Sequence, residues 1–184
     1  MARRSRKDAE ESILRELGGW IVYILLIIGL TYFIITFVGQ RTRVSGSSME
    51  TTLQNGDNLI VDKISYRFRD PKRYDIIVFP YKYEENTYYI KRIIGLPGET
   101  IQIKDGQILI DGETYQENGE FPGIENAGVA ETKVALDSGE YFVLGDNRNN
   151  SEDSRYADMG NVKKRNIIGK VWFIASPWSR FGFV

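Results

Sequence analysis

The sequence predicts a mainly β domain carried behind a single membrane-spanning helix. Two observations predict it. Gly18–Val38 is a run of 21 residues without a charge. Beyond residue 40 no long stretch has a 3.6-residue apolar period; short β-rich runs bounded by turn residues recur instead, the pattern of a barrel or sandwich.

The apolar run comes first. As a helix it is about 31 Å long, against a hydrocarbon core of about 30 Å. Trp20, Tyr23, Tyr32 and Phe33 suit an interface-anchored span. A cleaved signal peptide would have a shorter apolar stretch followed by a small-x-small site, whereas Gly39-Gln40-Arg41 follows here. Residues 1–17 carry Arg3, Arg4, Arg6, Lys7 and Arg15, and the exit side has Arg41 and Arg43. The positive-inside rule then makes 1–17 a cytoplasmic tail, 18–38 the transmembrane helix and 39–184 an extracytoplasmic domain, large enough for one core.

In that domain the predicted strands are Asn58–Val61, Asp75–Phe79, Thr87–Ile94, Thr100–Ile103, Gln107–Ile110, Tyr141–Leu144 and Ile167–Ile174. Lys104-Asp105-Gly106 is a hairpin turn of the Asp-Gly type, and Asp111-Gly112 a second turn. Residues 111–137, rich in Glu, Gly, Asn and Thr, read as a loop-rich insertion.

Composition narrows the chemistry. The 184 residues hold 24 basic and 25 acidic side chains, a formal net charge of −1, which speaks against a nucleic-acid partner. There is no His and no Cys. Ser-His-Asp triads, Cys nucleophiles and metal sites built on His or Cys are therefore excluded. A hydrolase with this composition needs Lys, Asp, Glu or an oxygen-held metal as its base.

Three segments stand out: Val44–Leu53 with Ser45-Gly46-Ser47-Ser48-Met49; Tyr88–Gly98 with Lys91-Arg92; and Gly145–Arg155, reading Gly-Asp-Asn-Arg-Asn-Asn-Ser-Glu-Asp-Ser-Arg. With the apolar run and Gly56-Asp57, they resemble in order the blocks of bacterial type I signal peptidases, membrane-bound serine proteases with a Ser-Lys dyad. The closing Ile168–Phe173 is similar to the Gram-positive branch. The resemblance spans the whole chain and implies a β-barrel or coiled antiparallel sheets behind the anchor. It also implies a serine endopeptidase of the cell membrane that removes signal peptides from secretory preproteins, with the lipid bilayer as a second partner and no metal or cofactor.

By that resemblance Ser48 is the nucleophile and Lys91 its general base. A lysine titrates near 10.4, so it needs an apolar wall to become neutral near pH 8, a cost of roughly 3 kcal/mol. Tyr88, Tyr89, Ile90, Ile93 and Ile94 surround it in sequence. Strand alternation places Lys91 with Tyr89 and Ile93 and sends Arg92 to the other face. The resemblance assigns Ser151 to hydrogen bonding the Lys91 amine, and Asp146, Arg148, Asp153 and Arg155 to a supporting polar network. Gly46, Ser47 and Met49 belong to the oxyanion and substrate wall, which is expected near Gly46–Met49 and the Asp75–Phe79 strand. The Ser48 backbone N–H is the first oxyanion donor. Gly46 stands where some relatives have a Ser hydroxyl, which leaves the second donor open.

Other departures from the family pattern are Thr51 in place of a usual Pro, Tyr74 in place of a Gly, and Asn149 where Asp is frequent. Gly56-Asp57 and Lys63 read as structural, and Lys163-Lys164-Arg165 as a solvated face. The rivals are a narrow-clientele or non-enzymatic relative assisting pilin or surface-protein assembly, and a self-cleaving Ser-Lys regulator. The oligomeric state stays open.

Overall fold

The computed structural model describes residues 2–33, 39–84 and 87–184. The chain divides at Val38 into two units. The first contains α1 (Ala2–Phe33). Its large apolar side chains from Leu17 to Tyr32 are exposed. Residues 34–38 of the expected span lie outside the described residues, and among those described no helix is long and apolar enough to cross a membrane.

The second unit, Gly39–Val184, is built on two antiparallel sheets. Its elements are β1 (Gly39–Arg43), β2 (Asn58–Asp62), α2 (Ser65–Phe68), β3 (Ile76–Pro80), β4 (Tyr88–Gly95), β5 (Thr100–Lys104) and β6 (Gln107–Ile110). They continue with β7 (Glu113–Thr114), β8 (Val134–Ala135), β9 (Glu140–Leu144), β10 (Val162–Lys163), β11 (Gly169–Ser176) and β12 (Gly182–Phe183). The larger sheet runs β1-β2-β11-β3-β4-β9-β10, with β12 also on β11; the smaller runs β7-β6-β5-β8. Neither closes on itself among the described residues, because β1 and β10 do not pair. The barrel alternative is thus corrected to open antiparallel sheets.

All seven predicted segments lie on strands, with ends shifted by up to two residues. The sequence reading missed β1. Its residues, Gly-Gln-Arg-Thr-Arg, carry no apolar alternation, and the strand is held by its ladder to β2, from Gly39 opposite Asp62 to Arg43 opposite Asn58. The 111–137 segment is short of regular structure, yet Ile124, Ala130 and Leu136 are buried in one cluster with Ile101, Ile103 and Ile108. Its apolar residues are spaced too irregularly to announce that packing.

Two further clusters cover the two faces of β3. Ile76 and Val78 pack with Met49, Leu53, Leu59 and Val171. Ile77 and Phe79 pack with Ile93, Tyr141 and Val143. A continuous apolar run such as Ile-Ile-Val-Phe is what a strand buried on both faces requires. β4 matters most for function. It pairs with β3 from Tyr88 to Arg92, but with β9 only from Arg92 onward. Among the described strands, Tyr88–Lys91 therefore has a partner on one side only.

Candidate active site

The Ser48 segment follows β1 as a compact turn. Gly46 has φ +100°, a conformation that suits a residue without Cβ. The Glu50 N–H donates to the Ser47 carbonyl at 3.0 Å, and the Leu53 N–H to the Met49 carbonyl at 2.8 Å. Met49 and Leu53 are buried in the core and pin the turn from below. Ser48 is left at the surface of this plug, half-buried.

β4 brings Lys91 to it. The Lys91 Nζ lies 2.7 Å from Ser48 Oγ. The side chain is only 3% exposed, and its strand register sets it opposite Ile77, in line with Tyr89 and Ile93. Burial disfavours the ammonium and brings the pKa down to about 8; the carboxylates of Asp153, Glu152 and Asp146 pull it back up, and Arg155 pushes it down. Once the amine is neutral, its lone pair accepts the hydroxyl proton, so the same contact becomes a Ser48 O–H donating to Lys91.

The loop after β9 holds this pair. The Asn147 N–H donates to the Ser48 carbonyl at 3.1 Å. The Asn147 side-chain amide donates to the Ser47 carbonyl at 3.2 Å, and that of Asn150 to Ser47 Oγ at 2.8 Å. Gly145 is obligatory in this packing: a Cβ there would lie 2.5 Å from Ser151 Cβ and still closer to Ser151 Oγ and the Ser48 carbonyl oxygen.

The four charged residues assigned to support are buried in ion pairs. Asp146 accepts from Arg92 at 2.8 and 2.7 Å, Asp153 from Arg155 at 2.8 and 2.8 Å, and Arg148 pairs with Glu117. Arg155 also donates to the Arg148 carbonyl at 2.5 Å, and Asp153 accepts from the Gly145 N–H at 3.1 Å. The network fixes the loop's backbone, and its charges act on Lys91 through space. Ser151 differs from its expected role. Its Oγ is buried beside Gly145 and forms no hydrogen bond among the described residues.

A cleft of about 280 Å³ opens over the pair, between residues 42–49 and Tyr88–Lys91, with Asn150 and Glu152 at its rim. Gly46, Ser47 and Met49 are among its lining residues. The Asp75–Phe79 strand is not. It lies one strand further in, and Asp75 is bound to Tyr66 and Lys170 instead; the second wall is the start of β4. Among the described residues the Ser48 N–H has no acceptor, which leaves it free for an oxyanion. Among them, too, no cluster of His, Cys, Asp or Glu has metal-holding geometry. A hydroxyl within bonding reach of a deprotonatable amine, beside a free N–H, can attack a carbonyl and stabilise the resulting charge.

Sequence reasoning missed Arg92, Gly145, Asn147, Asn150, Glu117 and the Tyr89–Glu152 contact. Gly145, Asn147, Asn150 and Arg92 lay inside the segments singled out by composition, without a role; Glu117 and the Tyr89–Glu152 contact depend on which chains meet in space.

Residues 17–178 match the family described as signal peptidase, peptidase S26. The chain belongs to that family. Among curated signal peptidases, the probable signal peptidase I-2 of Synechocystis is 38% identical over 98% of this chain and 82% of its own length. Signal peptidase I of Leptolyngbya laminosa is 44% identical over 80% and 73%, and signal peptidase I P of Bacillus subtilis subsp. natto is 34% identical over 94% and 96%. A crystal structure of a signal peptidase I from Enterococcus faecalis aligns with a TM-score of 0.43 at 33% identity, covering 55% of this chain and 97% of that one.

Proposed function

We propose that this chain is a serine endopeptidase that removes signal peptides from secreted preproteins, with Ser48 as nucleophile and Lys91 as general base. Membership of the signal peptidase family supports the activity and substrate class. One observation carries the residue assignment: a buried amine with a pKa of about 8 lies 2.7 Å from a hydroxyl at the floor of a cleft. Neutral Lys91 takes the Ser48 proton as Oγ attacks the scissile carbonyl, and the Ser48 N–H receives the oxyanion. The protonated amine gives its proton to the leaving amine, and the acyl ester is hydrolysed by a water that Lys91 then activates. Gly145, Asp146, Arg148, Asp153 and Arg155 hold the loop that keeps Ser48 in register. Ser151, buried and without a hydrogen-bond partner among the described residues, is the hydroxyl we assign to orienting the amine.

The substrate lies extended along the cleft. The free edge of Tyr88–Lys91 offers it a strand partner. Membrane association is a property of the family. For this chain the finer reading is a single pass through residues 18–38, with the 1–17 tail cytoplasmic and the 39–184 domain outside. The exposed Trp178, Phe181 and Phe183 suit a headgroup zone.

The test is cleavage of a preprotein by the full chain in detergent micelles, with products read by mass. Ser48→Ala, Lys91→Ala and Lys91→Arg should each lose about 10³-fold or more in kcat. The Arg variant fails because a guanidinium stays protonated. Turnover by Lys91→Arg at the wild-type rate overturns the assignment.

A further inference from the structure

Beyond its charge near Lys91, Glu152 has no role above, yet it stands at the rim of the cleft. It accepts a hydrogen bond from the Tyr89 hydroxyl at 2.8 Å, joining residues 63 apart in sequence. Tyr89 shares the Lys91 face of β4, and its ring centroid lies 5.0 Å from Lys91 Nζ. Tyr81 stacks on that ring at 4.6 Å, and Phe79 meets it edge-on at 6.2 Å. At the other end Glu152 adjoins Asp153, which Arg155 holds in two hydrogen bonds. One bond thus ties the open edge of β4 to the loop that carries the dyad's support.

We propose that Tyr89 and Glu152 form a clasp over the mouth of the site, a positioning pair that keeps the Tyr89 ring against Lys91 and bulk water away from it. The inference rests on the Ser48–Lys91 reading. An exposed bond of this kind adds little to folding; its effect lies in where it holds the ring. The phenol suits the task, because burial and the neighbouring carboxylate raise its pKa and keep it a neutral donor. The clasp and the charge act on the amine in opposite senses. The ring replaces water, which disfavours the ammonium and outweighs the attraction of its face for the cation, while the Glu152 carboxylate favours it. The other charges that face Lys91 are Asp153, Asp146 and Arg155, all on the same loop.

The two effects separate in the pH dependence of kcat/KM, which reports the free enzyme. The full chain is assayed on a preprotein in detergent micelles, as wild type and as Glu152→Gln, Glu152→Ala and Tyr89→Phe. Gln keeps an acceptor for the phenol but loses the charge. Its ascending limb should move down by about half a pH unit, giving about two- to threefold more activity at pH 7. Phe keeps the ring and the charge but cuts the clasp. Its limb should move up by a similar amount, with about a threefold loss at pH 7. Ala loses both, so its limb should lie above that of Gln. A Tyr89→Phe limb coincident with wild type, or equal limbs for Gln and Ala, overturns the clasp. Failure of the dyad reading looks different: the wild type would then show no limb from an amine, or Lys91→Ala would retain turnover.

Discussion

Gly145→Ala tests the geometry of the site with a single methyl group. The backbone there is not in the left-handed region, so the substitution carries no conformational strain of that kind. The steric conflict is local: the new Cβ would sit 2.5 Å from Ser151 Cβ and nearer still to the Ser48 carbonyl oxygen. Ordinary carbon–carbon contact begins near 3.5 Å, so something must move by about 1 Å. Turning the Ser151 hydroxyl away does not relieve it, because a Cβ and a backbone carbonyl are also involved. The Ser48 carbonyl is held by the Asn147 N–H at 3.1 Å, so Ser48 and the loop must separate. A displacement of about 1 Å in a catalytic group costs roughly 100-fold in rate, equivalent to about 2.7 kcal/mol in the barrier. Overpacking should cost about 1–3 kcal/mol of stability, a melting temperature lower by about 2–12 °C for a domain of this size. The assay pairs steady-state kinetics on a preprotein with a thermal melt. The expected result is a folded protein with kcat/KM down about 100-fold. Wild-type kcat/KM within threefold, at an unchanged melting temperature, would refute the claim that Ser48 and Ser151 close on this glycine.

Two other predictions concern stability. The Lys91 pKa of about 8 in the folded chain lies below its ordinary 10.5, so between those values the unfolded chain binds more protons and stability rises with pH. Lys91→Met, similar in length and uncharged, should therefore stabilise the domain by about 3 kcal/mol at pH 7. The gain should vanish above pH 10.5, and a gain independent of pH in urea unfolding counts against the buried ammonium. Arg92→Ala leaves Asp146 buried without its bidentate partner and should cost about 3–5 kcal/mol in urea unfolding. A loss below 1 kcal/mol would mean that water reaches the carboxylate.

The strands of the core were legible because apolar runs such as Ile76–Phe79 and Tyr141–Leu144 have few alternatives to a buried strand. β1 was not legible, since its polar residues are organised by β2 rather than by their own pattern. The Ser48–Lys91 contact was legible only through a resemblance; a Ser in a glycine-containing turn and a Lys in a strand are ordinary. The Asp75–Phe79 part of the expected wall was misplaced because sequence separation does not reveal that β3 lies inside β4. Two departures from the family pattern acquire a physical meaning. Tyr74 sits at φ +70°, a place that suits the family's glycine. Its strain is offset by the Asn118 N–H donating to its hydroxyl at 2.7 Å and by the Tyr115 ring at 6.1 Å. Thr51 has φ +96°, which the ring of a proline does not reach. The turn after Ser48 is therefore shaped differently here from one with proline, not simply freed.

Lys91 and Arg92 are neighbours with opposite fates, and the loop after β9 accounts for both. A cation buried beside three carboxylates should stay charged. Two of those carboxylates, Asp146 and Asp153, are each bound by an arginine through two hydrogen bonds, which compensates most of their field at the amine. Glu152, the third, is spent on the Tyr89 hydroxyl and, being exposed, is screened by water. With the negative field so reduced, desolvation by Tyr89, Ile77 and Ile93 outweighs it, and the pKa falls instead of rising. Arg92 could not take the place of Lys91, since it remains protonated at any relevant pH. On the opposite face it serves the site by binding Asp146. A loop that only carried hydrogen bonds to Ser48 would fix the hydroxyl and leave the amine charged. The arginine pairs let the same loop hold the Ser48 carbonyl and still leave the Lys91 amine with a pKa of about 8.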